Sequence, residues 1–104
     1  MMKKILIEST TSAVNKLITI ENWNIDGSVF LYGDGLGDIT ETVNIQIQTV
    51  AEPDIDNDDH WVTFVYDSDS YVLNSTTFGQ SISCRGTYRI SKPASNTAFG
   101  VRFE

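Results

Sequence analysis

Val43, Ile45 and Ile47 alternate with Thr42, Asn44, Gln46 and Gln48 through Glu41–Val50. Successive side chains of an extended chain point to opposite faces, so this run reads as a strand with one buried and one wet face. A chain built on that period must form sheets and bury one side of each. Shorter runs rich in Ile, Val, Thr, Phe, Tyr and Trp continue the theme at Lys4–Glu8, Lys16–Trp23, Ser28–Tyr32, Trp61–Tyr66, Gln80–Cys84, Thr87–Ser91 and Ala98–Phe103. Together they make seven to eight short strands.

Turn-forming clusters separate the runs: Asn24 to Gly27, Gly33 to Asp38, Pro53 to Asp59, Asp67 to Ser70, Arg85-Gly86 and Lys92 to Asn96. Their spacing is that of a sandwich or small barrel. Thr10–Lys16 is the best helical stretch, and its Ser, Thr and Asn content allows one turn at most. The expected architecture is all-β, an antiparallel β-sandwich or jelly roll. Its expected core contributors are Phe30, Trp61, Phe64, Phe78, Tyr88, Phe99, Val101 and Phe103. A chain of 104 residues is one domain, 1–104, with no internal repeat, heptad or linker.

Charge is distributed as unevenly as hydrophobicity is regular. From Leu17 to Cys84 there is no lysine or arginine, while twelve carboxylates fall in that stretch. All seven bases (Lys3, Lys4, Lys16, Arg85, Arg89, Lys92 and Arg102) lie toward the ends, with Glu8 and Glu104 as the only acids beside them. The net charge of −7 argues against nucleic acid, which demands clustered Lys and Arg. Ile5-Leu6-Ile7 is cut short by Glu8, too early for a secretion signal, and no run approaches the ~20 apolar residues that span a bilayer. With a lone Cys84, the expectation is folding in a reducing cytoplasm, without a membrane.

Few residues suggest chemistry. Asp54, Asp56 and Asp58 alternate as the ligands of a calcium loop do, but glycine is missing at the sixth position (Asp59) and glutamate at the twelfth (Val65). The alternatives are a weak calcium site and a solvated acidic loop, and calcium is the only cofactor the sequence offers. Gly33-Asp34-Gly35-Leu36-Gly37-Asp38 runs into a strand and occurs once, which suits a flexible connection better than a phosphate cradle or a β-helix turn. His60, beside Asp58 and Asp59, has no nucleophile next to it in sequence, and Cys84 reads as a small buried residue at a strand end. No catalytic set emerges, and the expected class is non-enzymatic. Trp23, Tyr32, Tyr66 and Tyr71 sit near strand ends, as a glycan-stacking platform or as core-edge residues. Asn74-Ser75-Thr76 has the form of a glycosylation acceptor and reads as a loop.

The second half of the chain resembles small accessory proteins of tailed-phage virions. The resemblance runs from Glu41 to Glu104. It rests on the Val43-Asn44-Ile45-Gln46 strand, an Asp-rich loop leading to Trp61, Gly86-Thr87-Tyr88-Arg89, and the Pro93 turn before the last strand. In this chain Asp54, Asp56, Asn57, Asp58 and Asp59 stand where that pattern has glycines. The resemblance implies a capsid decoration or cement protein, a homotrimer bound to the major capsid protein on the outside of an assembled virion. Rival readings are a tail or baseplate component and a carbohydrate-binding sandwich. On the first reading, Lys3, Lys4, Arg85, Arg89 and Arg102 are the expected capsid-binding residues and the acidic loops face outward.

Overall fold

The computed structural model describes residues 4–21, 27–82 and 84–104. Eleven strands are present among them: β1 (Lys4–Thr10), β2 (Val14–Ile20), β3 (Gly27–Tyr32), β4 (Val43–Gln48), β5 (Trp61–Thr63), β6 (Val65–Tyr66), β7 (Asp69–Ser70), β8 (Val72–Leu73), β9 (Gly79–Ile82), β10 (Gly86–Lys92) and β11 (Phe99–Phe103). One sheet has the order β1-β11-β3-β9; the other has β2-β10-β4-β5, with β8 also paired to β4. Every pairing is antiparallel. The expected sandwich is therefore observed. Thr10–Lys16 is not a helical turn, since Val14–Ile20 is a strand paired along its length with β10.

Side-chain alternation places the core between the sheets. Ile7, Val29, Leu31, Ile82, Phe99 and Val101 come from the first sheet and Ile18, Ile20, Val43, Ile45, Leu73, Tyr88 and Ile90 from the second. Truncating a fully buried isoleucine such as Ile45 or Ile90 is worth about 2–5 kcal/mol in such a setting. Gly100 is needed on β11: a Cβ there would lie 2.3 Å from the Ile7 carbonyl oxygen and 2.7 Å from the Tyr32 ring. The bare backbone lets β1 approach while Tyr32 lies across it, its hydroxyl accepting the Ser9 N–H at 2.9 Å.

Of the eight aromatic and aliphatic core expectations, Tyr88, Phe99 and Val101 hold as full burial between the sheets, whereas Trp61 is buried on the outer face of the second sheet, its register partner Gln48 lying on the side opposite the inward Ile45. Phe64 and Phe103 pack against the core from its margin. Phe30 instead lies on the outer face, where the Arg102 guanidinium sits 4.4 Å from its ring centroid, and Phe78 is 45% exposed. Period two explains Phe30, which alternates with the buried Val29 and Leu31.

The predicted strand Trp61–Tyr66 is broken. At Phe64, whose N–H donates to the Ile45 carbonyl at 2.8 Å, the chain leaves the edge of β4 and returns at Tyr71, whose carbonyl accepts the Ile45 N–H at 3.0 Å. The excursion is the β6–β7 hairpin, turned by Asp67 (φ 54°) and Ser68 (φ 69°). Left-handed backbone at both turn residues gives the twist that two-residue hairpins prefer. β5 and β8 thus form one edge strand with a hairpin inserted into it.

Tyr88 gives the interior a pH signature. Its hydroxyl donates to the Cys84 carbonyl at 2.7 Å, and burial first, then the Cys84 thiol and Tyr71, pushes its pKa up to about 12. Below pH 10 both folded and unfolded chains keep the proton; between 10 and 12 only the unfolded chain releases it, so stability falls as pH rises. The expected loss is on the order of 2–3 kcal/mol at about 1.4 kcal/mol per unit. Tyr88→Phe should cost about 1 kcal/mol at neutral pH and flatten the decline between pH 10 and 12, which urea unfolding across that range would measure. A profile identical to wild type would refute the assignment.

Candidate functional site

The acidic segment is folded and anchored. It leaves the end of β4, crosses the outer face of the second sheet and returns at Trp61. Within it the Asp54 carboxylate accepts the Asp56 N–H at 3.0 Å, the Asp54 carbonyl accepts the Asn57 N–H at 3.1 Å, and the Asn57 side chain caps a short 3-10 turn, Asp58–His60, by accepting the Asp59 N–H. The Asp54 N–H donates to His60 Nδ1 at 2.9 Å. His60 therefore spends that nitrogen on ordering the loop. The Thr49 hydroxyl donates to the Asp59 carbonyl, closing the segment at its neck.

Two side chains from the sheet hold this loop down. Trp61 Nε1 donates to the Asp54 carbonyl at 2.9 Å. Arg89, only 1% exposed, donates through Nε to Gln46 Oε1 (2.7 Å), through Nη1 to the Ile55 carbonyl (2.7 Å) and through Nη2 to Asp58 Oδ1 (3.1 Å). Its guanidinium carbon lies 5.5 Å from the Trp61 ring centroid. Two oxygens of the loop, the Ile55 carbonyl and Asp58 Oδ1, thus meet the Arg89 guanidinium. Of Asp54, Asp56 and Asp58, Asp58 touches it, Asp54 turns its carboxylate to the loop backbone, and Asp56 is exposed. Among the described residues, no group of three His, Cys, Asp or Glu side chains is arranged to hold a metal ion.

Arg89 consequently departs from its expected place among surface bases. β10 is central in its sheet, and Arg89 pairs across to Gln46 on β4 and Leu17 on β2. Its side chain is covered, so a partner cannot reach it in this fold. The other expected capsid-binding bases gather differently. Lys4 opens β1 beside Phe103, Arg102 pairs across from Ile5, and Arg85 precedes β10 where Gly86 meets Ile20. At that end the sheets close on Gly27, where a Cβ would meet the Phe103 ring at 2.5 Å and Ile20 at 2.6 Å. Lys4, Arg85 and Arg102 thus share one end of the sandwich. Arg102 is engaged there in an ion pair with Glu104. Lys3 and Trp23, with the turn residues Asn24 to Asp26, lie outside the described residues.

A second buried cation escaped the sequence reading. Lys92 is 1% exposed at the far end of β10, donating to the carbonyls of Ser12 (2.9 Å) and Pro93 (3.0 Å) and lying 4.4 Å from the Phe99 ring centroid. It ties the β1–β2 turn to the β10–β11 connection. Burial lowers its pKa, and the charge of Glu41 partly opposes that shift. Period two is the signal that could have found it, since Lys92 follows the inward Tyr88 and Ile90.

The remaining candidates resolve into structural roles and one protrusion. Cys84 is partly buried beside Tyr88, and Asn74 Oδ1 accepts the N–H groups of Thr76 and Thr77 in a tight loop. Tyr71 packs against Phe64 in a tilted arrangement with centroids 4.8 Å apart, whereas Tyr66 on the hairpin is 58% exposed. The chain matches no protein family, no curated protein and no solved structure.

The energetics of the Arg89 anchor can be ranked. Arg89→Met keeps the stem but leaves the Gln46 and Ile55 oxygens without their charged donor, and should cost about 2–4 kcal/mol. Asp58→Asn should cost under about 1 kcal/mol, because that carboxylate is 87% exposed and water screens the pair. Because Arg89 and Trp61 already tie the loop to the sheet, chelator should leave the wild-type melting temperature unchanged. Thermal melts of the two variants, and of wild type with and without EDTA, test this; a chelator-induced drop would mean that an ion binds the native loop.

Proposed function

We propose that the chain is a non-enzymatic virion structural protein, a jelly-roll module that binds the outside of a phage capsid and stabilises it. The observation that carries the reading is the strand order. With β5 and β8 counted as one interrupted strand, the eight main strands pair first with last, second with seventh, third with sixth and fourth with fifth. That is the order of a long hairpin rolled into two sheets, the jelly roll that recurs in viral capsid and lectin domains.

Charge supports the same reading. Lys4, Arg85 and Arg102 share the end at which the acidic segment leaves β4, and Asp34, Asp38 and Glu41 lie on the connection between β3 and β4 at the opposite end. At the first of these ends, Lys4 and Arg85 are the bases through which the module would meet an acidic shell protein. The expected partner is the major capsid protein, with decoration as a homotrimer; a place in the tail or baseplate is the nearest alternative. The exposed Tyr66 and Phe78 favour a glycan-binding role as a second reading.

Co-sedimentation with tailed-phage capsids stripped of their accessory proteins tests the proposal. Wild-type protein should pellet with the shells, and Lys4→Glu with Arg85→Glu should lower occupancy about tenfold or more through like-charge repulsion. Wild-type protein left in the supernatant, or equal binding by the charge-reversed variant, would contradict it.

A further inference from the structure

The β6–β7 hairpin stands off the sandwich. All six residues from Val65 to Ser70 are exposed, and the hairpin pairs with no other strand among the described residues. It nevertheless presents Val65, 55% exposed, and Tyr66, 58% exposed, next to the carboxylates of Asp67 and Asp69. An amphipathic, singly charged-sign tip of this kind is poorly served by water alone. Phe64 and Tyr71 clasp its base, and the Tyr66 ring lies 6.4 Å from that of Phe64, so the hairpin is held in place while its tip is open to water.

On the opposite edge of the sandwich lies a complementary surface. β1 and β2 are edge strands of different sheets, and β1 is irregular on both sides of Ile7. Between them opens a cleft of about 520 Å³ whose lining includes Ile5, Leu6, Val14 and Lys16. Lys16 occupies an inward position of β2, opposite the buried Ile90, yet is exposed because the seam is open there. Ile5 is 46% exposed on the same edge. Glu8 also lines the cleft, and Lys4 stands beside it at the start of β1. An inward-pointing lysine hinders simple strand-to-strand addition and favours a tip that brings carboxylates to it.

We infer that the hairpin of one copy seats in the β1–β2 cleft of a second copy, Tyr66 and Val65 against Leu6 and Val14, and Asp67 and Asp69 toward Lys16. Hairpin and cleft lie on opposite edges of one molecule, so the contact is head-to-tail and builds a closed ring or an open chain. Each contact is small, in the class of weak interfaces below about 1,200 Å², and it is favoured by high protein concentration and low salt. The contact requires no capsid and is read on the purified protein.

Light scattering after size exclusion over a concentration series tests it. The wild-type mass should rise above the 11.6 kDa monomer with concentration. Tyr66→Ala and Lys16→Glu should each weaken association about tenfold or more, while melting temperatures stay near wild type because both side chains are exposed. Asp67→Lys with Asp69→Lys should abolish association, and adding Lys16→Glu to that variant should restore it. A wild type monomeric at every concentration, which would leave cleft and hairpin to other partners, overturns the inference. So does an oligomer that survives Tyr66→Ala and Lys16→Glu, or a charge swap that fails to restore assembly.

Discussion

A single buried guanidinium organises one face of this protein. Glu52, Asp54, Asp56, Asp58 and Asp59 crowd into eight residues with no base among them, and a loop of that charge repels itself. Arg89 reverses the outcome. Its position on the central strand β10, paired on both sides, fixes where the charge sits, and the loop folds onto it. Two of its three hydrogen bonds, to the Ile55 carbonyl and Gln46 Oε1, are short and covered, and the third reaches an exposed carboxylate. The neutral oxygens therefore carry more of the anchoring than the ion pair does, since charge-assisted bonds out of water outweigh a screened pair. Trp61 completes the cover: it is buried, but on the outside of the sheet rather than in the inter-sheet core.

Much of the architecture was legible because strands announce themselves by period two. The alternation of Val43, Ile45 and Ile47 located β4 and its buried face, and the turn clusters located the connections. What the pattern could not show was where a strand steps off its neighbour. Trp61–Tyr66 reads as one run of β-formers, and only the hydrogen bonds from Ile45 to both Phe64 and Tyr71 reveal the inserted hairpin. Aromatic residues misled for a related reason. Phe30 and Phe78 are large and apolar, but Phe30 occupies an outward register position.

The candidate sites were legible as composition and illegible as geometry. Of the alternating Asp54, Asp56 and Asp58, only Asp58 meets the positive charge that anchors the loop. That the charge is Arg89, 31 residues from Asp58, depends on strand order, which no local pattern encodes. The same long-range folding brings Lys4, Arg85 and Arg102 to one end and withdraws Arg89 and Lys92 into covered positions. The fold thus redistributes the charge asymmetry seen along the sequence: three bases share an end with the neck of the acidic loop, and two interior cations hold loops in place.

Arg89 orders the acidic loop through its bonds to the Ile55 carbonyl and Asp58. Hydrogen exchange of the Asp54, Asn57, Asp59 and His60 amides tests this most directly, since each N–H has a defined acceptor within the loop. These amides should be protected equally in calcium and in chelator, and should lose protection in Arg89→Met while β2 and β10 stay protected. Protection that appears only with calcium, or that persists without Arg89, would contradict it.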